Sequence, residues 1–139
     1  MGFQEKSNIV MLTALAVAYG WYGIQVFRLA TDEPVSEVMY QPLILIVVVP
    51  LVVIATIGHI VISALDPAEA DSSDERDREI ARRGSVVGGW IVSIAAFGAL
   101  LAAMAEITHF WIAHVILAGL VIGELADGAW RLILYRRGI

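Results

Sequence analysis

The chain has 139 residues, of which 59% are hydrophobic, and it carries a formal net charge of −5. Its mean hydropathy of +0.78 exceeds that of a soluble domain, which is about half apolar, and the excess sits in four blocks, so lipid is the expected solvent. No cysteine is present, which excludes disulfides, thiolate metal sites, iron–sulfur clusters and cysteine nucleophiles.

A bilayer core roughly 30 Å thick needs about 20 apolar residues in a helix to cross it. The first such block runs from about Ile9 to Leu29. Lys6 precedes it and Ala16-Val17-Ala18 resembles a signal-peptide cleavage site. The apolar stretch continues well past that site, so an uncleaved helix is expected. The segment Ala30–Pro42 that follows is acidic and holds Pro34 and Pro42.

The second block runs from about Leu43 to Leu65, where Pro50 should introduce a kink. Asp66-Pro67 then ends the helix, because proline cannot continue it. The connecting segment Asp66–Ser85 has a small, acidic first part and a charged second part. Ser72 and Glu75 have the spacing of a capping box. Asp74/Arg78, Glu79/Arg82 and Glu79/Arg83 follow at helical pair spacings. They predict a short charged helix, Asp74–Arg83, that runs into the third block or bends at Gly84. Two readings of it stand side by side. One is a self-paired solvated face with Arg82 and Arg83 as headgroup anchors. The other is a docking surface of Asp74, Glu75, Arg76, Arg78, Arg82 and Arg83 for a cytoplasmic protein.

The third block runs from about Val86 to Ala105 and the fourth from about Ile112 to Leu134. The turn between them, EITHFW, places Phe110 and Trp111 where amphipathic rings suit a membrane interface. The fourth block holds Glu124, Asp127 and Arg131, so an interfacial helix is its alternative reading. Basic residues decide the orientation. Lys6, Arg76, Arg78, Arg82, Arg83, Arg131, Arg136 and Arg137 fall on one side of a four-span chain, and only Arg28 of the nine falls on the other. The expected fold is an all-α integral membrane protein, a single four-transmembrane-helix bundle with a short cytoplasmic helix between spans two and three. Both termini are expected in the cytoplasm.

Several of these residues resemble a group of small bacterial membrane proteins of unknown function. They are the DERDREI stretch Asp74–Ile80, the step Arg83-Gly84, the HFWIA stretch His109–Ala113 and the terminal YRRG, Tyr135–Gly138. The resemblance covers roughly the C-terminal half. It implies the four-helix layout, a bacterial inner-membrane location and an association with signalling through helix-turn-helix regulators. It implies no catalytic residue.

Ionisable residues at membrane depth are costly and invite a functional reading. Glu124, Asp127 and Arg131 fall within a helical stripe of roughly 60°, and Asp127 and Arg131 can pair one turn apart. His59 reaches a similar depth on the second block. His59, Glu124, Asp127 and Arg131 therefore form a candidate buried cluster, read either as a proton- or ion-responsive site or as a structural polar network. A haem between His59 and His114 fails, because roughly 20 Å of helix separates their depths. His109 and His114 project from different faces, and no metal site or cofactor is expected.

Gly119 and Gly123 form a GxxxG step, and Ala95 and Ala99 a comparable ridge on the third block. Small residues at this spacing let helices approach closely, within a chain or between chains. Three functions compete. The favoured one is a non-enzymatic scaffold or sensor acting through the charged loop, as a homo-oligomer, with no direct nucleic-acid contact. The alternative is a small oligomeric transporter or proton-coupled pore built on the polar cluster. An intramembrane enzyme is disfavoured, since no Ser–His–Asp spacing, H-E-x-x-H or phosphate-cradling glycine loop is present.

Overall fold

The computed structural model describes residues 3–50, 52–53 and 75–137. It is all-helical among these residues, with α1 at Phe3–Asp32, α2 at Gln41–Pro50, α3 at Glu75–Met104 and α4 at His109–Arg137. Three helices, α1, α3 and α4, are long and apolar enough to cross a membrane. The most apolar window is only 11% buried in α1 and in α3, and 17% buried in α4. A water-soluble fold would hide these side chains. Here Val17, Phe27, Trp90, Ile94, Phe97 and Ile122 all point outward, as lipid-facing residues should.

Each helix ends where its sequence stops supporting it. Pro34 has no N–H and disfavours helix at the residue before it, and α1 closes with Glu33 N–H donating to Leu29 O at 3.0 Å. A turn follows, with Glu37 N–H donating to Pro34 O at 2.8 Å. Pro42 falls in the first turn of α2, where a missing donor costs nothing. The helix is described as far as Pro50, and residues 52–53 are helical as well. Most of the predicted second span, Leu43–Leu65, lies outside the described residues.

Between α3 and α4 the chain turns through Ala105–Thr108. Glu106 takes a left-handed φ of 55°. Ile107 N–H donates to Ala102 O at 3.0 Å and Glu106 N–H to Ala103 O at 3.1 Å. These two bonds are the Schellman pattern, which normally places glycine where Glu106 stands. Thr108 O then accepts from Trp111 N–H at 2.9 Å to start α4.

Of the two courses expected for the charged stretch, running into the third span or bending at Gly84, the structure shows the first. The helix runs unbroken from Glu75 through Gly84 to Met104. Two features favour continuity. Glu79 bridges to Arg82 and Arg83 along the face, and Gly84 is buried against α4 rather than freed to bend.

Helix α4 lies between α3 and α1, packs along α3 over its length and meets α1 more sparsely; α1 and α3 do not pack on each other. Glycine sets the α3–α4 spacing. A Cβ on Gly88 would lie 2.8 Å from Gly123 O, and one on Gly123 would lie 2.8 Å from Val92 Cγ2. Gly119 faces Ala95, and Ala99 is buried. The small-residue ridges expected on the third and fourth spans are thus used against each other within one chain. The Gly84–Gly88 step, which extends the α3 ridge toward its charged end, carries as much of this approach as Gly119–Gly123.

Candidate functional site

Two polar features and one aromatic feature flank α4. The first is a groove of about 260 Å³ between α1 and α4, lined by Asn8, Met11, Leu12, Leu15, Glu124, Asp127, Gly128 and Arg131. Asn8 Nδ2 donates to Gly128 O at 2.8 Å, tying the start of α1 to α4. Gly128 permits that approach, since a Cβ there would lie 2.5 Å from Leu12 Cδ2 and 3.0 Å from Asn8 Oδ1.

Asp127 and Arg131 form the pair expected from their spacing. Arg131 Nε donates to one carboxylate oxygen at 2.5 Å and a terminal nitrogen donates to the other at 2.6 Å. Their side chains are 14% and 32% exposed respectively, so the pair is largely shielded without being sealed. Gly84 of α3 is stacked directly on it: a Cβ there would lie 2.8 Å from Arg131 Cγ and 2.9 Å from Nε, and would collide with Asp127 Oδ1. Two-point Arg–carboxylate bonding fixes geometry as well as charge.

Glu124 differs from the expectation of a buried residue. It is exposed on the groove wall. Its side chain has no hydrogen-bond or ion-pair partner among the described residues. Asp127 and Arg131 lie under Gly84 of α3 as well as lining the groove, whereas Glu124 is exposed on the groove wall. His59 lies outside the described residues, so the structure joins three of the four cluster residues along one side of α4.

The second polar feature is the start of α3. Glu79 accepts from Arg82 Nε and a terminal nitrogen, both at 2.8 Å, and from Arg83 Nε at 2.7 Å. The hydrogen bonds from Arg82, then those from Arg83, hold its carboxyl down at about 2, against an ordinary 4.5. Arg82 is correspondingly raised by its bond to Glu79. Such exposed pairs contribute little to stability, but they order the surface. Glu75, Arg76 and Arg78 are exposed on the same stretch, and Asp74 lies outside the described residues. Tyr135 near the end of α4 is raised above its ordinary value by burial first and then by the nearby Asp77 carboxylate of α3.

A direct check follows from the depressed carboxyl. In a carbon-detected NMR titration, Glu79 should keep its charge as pH falls through 4.5 and lose it only on approach to 2. Its contribution to the fold is therefore present above the ordinary value and disappears in that acid window. Arg82→Gln should move the midpoint upward. A wild-type midpoint at 4.5 would show that the fork is open in solution.

The aromatic feature was not legible in the sequence. Near the opposite end of α4, His114 is surrounded by Phe110, Tyr22 and Tyr40 at ring-centroid distances of 4.1, 5.9 and 5.1 Å. Nδ1 lies 2.7 Å from Phe110 O. A carbonyl only accepts, so Nδ1 carries a proton, and Nε2 shares a hydrogen bond with the Tyr22 hydroxyl at 2.9 Å. Both ring nitrogens are thereby satisfied. Tyr22, Val26, Val38, Val47 and Phe110 form the apolar core around this point, joining α1, the 33–40 segment, α2 and α4. The arrangement reads as a structural clasp. Histidine spacing alone gave no sign of it, because the partner tyrosines come from α1 and the segment before α2.

Compared with known proteins, the chain matches no family model, and no curated protein or solved structure is similar enough to it to count as a match.

Proposed function

We propose that this chain is a non-enzymatic protein of the bacterial inner membrane that crosses the bilayer four times, keeps both ends in the cytoplasm and presents the charged start of α3 to a cytoplasmic protein. One observation carries the reading: Glu75–Arg83 is continuous with a membrane-length helix rather than tethered to it by a loop. A docking surface gains from such rigidity, because less conformational entropy is lost on binding. Gly84 against the Asp127–Arg131 pair holds this end of α3 to α4, with Asp77 near Tyr135. The DERDREI stretch whose resemblance suggested a signalling association is the segment so presented. Self-association through Gly119 and Gly123 is left out of the proposal, since α3 already fills that ridge.

The docking role is tested by placing a photo-crosslinking amino acid at position 78 in native membranes. A discrete adduct with another protein is expected, and it should vanish in the Arg82→Glu/Arg83→Glu variant at unchanged thermal stability. Adducts with lipid alone, or a protein adduct indifferent to the charge reversal, would overturn the reading.

The membrane layout makes a separate prediction. Fusions of a cytoplasm-active reporter at Met1, Ser73 or Ile139 should be active, and an externally active reporter should work at Glu33. The eight-to-one division of basic residues supports this orientation. An external signal at residue 139 would reduce the chain to an odd number of crossings.

A further inference from the structure

The groove between α1 and α4 has walls of opposite character. Asn8, Met11, Leu12 and Leu15 line it from α1, and Glu124, Asp127, Gly128 and Arg131 line it from α4. Asp127 and Arg131 neutralise one another through two hydrogen bonds. Arg131 lies roughly 10 Å along the helix axis from Glu124 and is already committed. That leaves Glu124 as the acidic group in the groove wall with no hydrogen-bond or ion-pair partner among the described residues.

Depth narrows what can answer that charge. Glu124 lies about 15 Å of helix before the inner end of the fourth span at Leu134, near the middle of a bilayer core roughly 30 Å thick. A lipid headgroup does not reach that level. A carboxylate there is costly unless a counter-charge accompanies it, and the facing wall is apolar at Met11, Leu12 and Leu15, its one amide, Asn8, being bonded to Gly128 O. The fitting ligand is small, carries one positive charge and is apolar enough to dissolve in the membrane.

We propose that the α1–α4 groove binds a small organic cation of the alkyl- or arylammonium class, with Glu124 as its counter-charge and Met11, Leu12 and Leu15 as its apolar seat. This site is independent of the docking surface on α3, and either can fail without the other.

The probe is radiolabelled phenyltrimethylammonium, measured by equilibrium dialysis against the full chain in phosphatidylcholine nanodiscs and against empty nanodiscs. One saturable site per chain is expected. Glu124→Gln should weaken binding by about tenfold or more, the loss of one charge contact in a poorly hydrated site. Glu106→Gln, on the turn outside the groove, should bind as wild type. The uncharged isostere tert-butylbenzene should not compete. If Glu124→Gln does not fold, Met11→Trp replaces it as the test. Met11 is 60% exposed, so the larger side chain is tolerated while it fills the groove, and binding should disappear. No saturable binding by the wild type would overturn the proposal. So would equal affinity in a folded Glu124→Gln, or effective competition by tert-butylbenzene. The first outcome is also the one expected if another part of the chain occupies the groove.

Discussion

Gly88→Leu should destroy the α3–α4 hairpin, whereas Gly89→Leu, one residue away, should leave it intact. The two glycines share a helix and a propensity, so only their surroundings separate them. A Cβ on Gly88 would lie 2.8 Å from Gly123 O and 3.2 Å from Asp127 Cβ, while one on Gly89 would meet nothing within 4 Å. The obstacle at Gly88 is backbone, which no rotamer change can move. The helices must separate, and the contacts along the whole seam loosen together. In a membrane this seam has no hydrophobic driving force to fall back on, since lipid tails are as apolar as the side chains. Packing at small residues supplies the association instead. A loss of about 3 kcal/mol is expected for Gly88→Leu, at the upper end for overpacking. Gly123→Leu should behave similarly, because its Cβ would lie 2.8 Å from Val92 Cγ2 and 3.1 Å from Gly88 O. Thermal unfolding in detergent distinguishes the cases. Equal stability of the position 88 and position 89 variants would mean that the ridge does not set the helix spacing.

How much of this arrangement the sequence reveals depends on whether a property is local. The apolar blocks at Ile9–Leu29, Val86–Ala105 and Ile112–Leu134 announce α1, α3 and α4, because crossing length and apolarity are properties of one segment. The Asp127–Arg131 and Glu79–Arg82/Arg83 pairs are equally local, set by helical spacing alone. GxxxG spacing shows that a face is small, but not what fills it. Gly119 and Gly123 fit a dimer as well as a hairpin until α3 is seen against them. Gly84–Gly88 has the same spacing, but beside the charged stretch Gly84 fits a bend as well as a continuous helix. Non-local placement accounts for the rest. Glu124 shares a stripe with Asp127 and Arg131, yet it is exposed on the groove wall while the pair lies under Gly84 of α3. Asn8 on Gly128 and Tyr22 on His114 both depend on the antiparallel register of α1 against α4, which no pattern within either helix encodes.

The register of α3 against α4 likewise makes the charged pair on α4 sensitive to a glycine on α3. Asp127→Ala removes one partner and leaves Arg131 beside a largely apolar seam. For a pair as shielded as this one, with side chains 14% and 32% exposed, the loss should lie near the lower end of the buried range, about 3 kcal/mol. Asp127→Ala combined with Arg131→Ala should recover part of it, because no uncompensated charge remains. Gly84→Ala should cost a comparable amount by a different route: its Cβ would occupy the space of Asp127 Oδ1 and press on Arg131 Cγ at 2.8 Å. The pair could then keep its bonds only by moving the helices apart. The two routes share a partner, so they should not add. In the Asp127→Ala background the carboxylate is gone and Gly84→Ala should cost little, giving a coupling energy of roughly 1–3 kcal/mol in a double-mutant cycle. Denaturant or thermal unfolding of the four proteins measures it. Additive losses would show that Gly84 and the pair act separately, and that the charged end of α3 is not held to α4 through them.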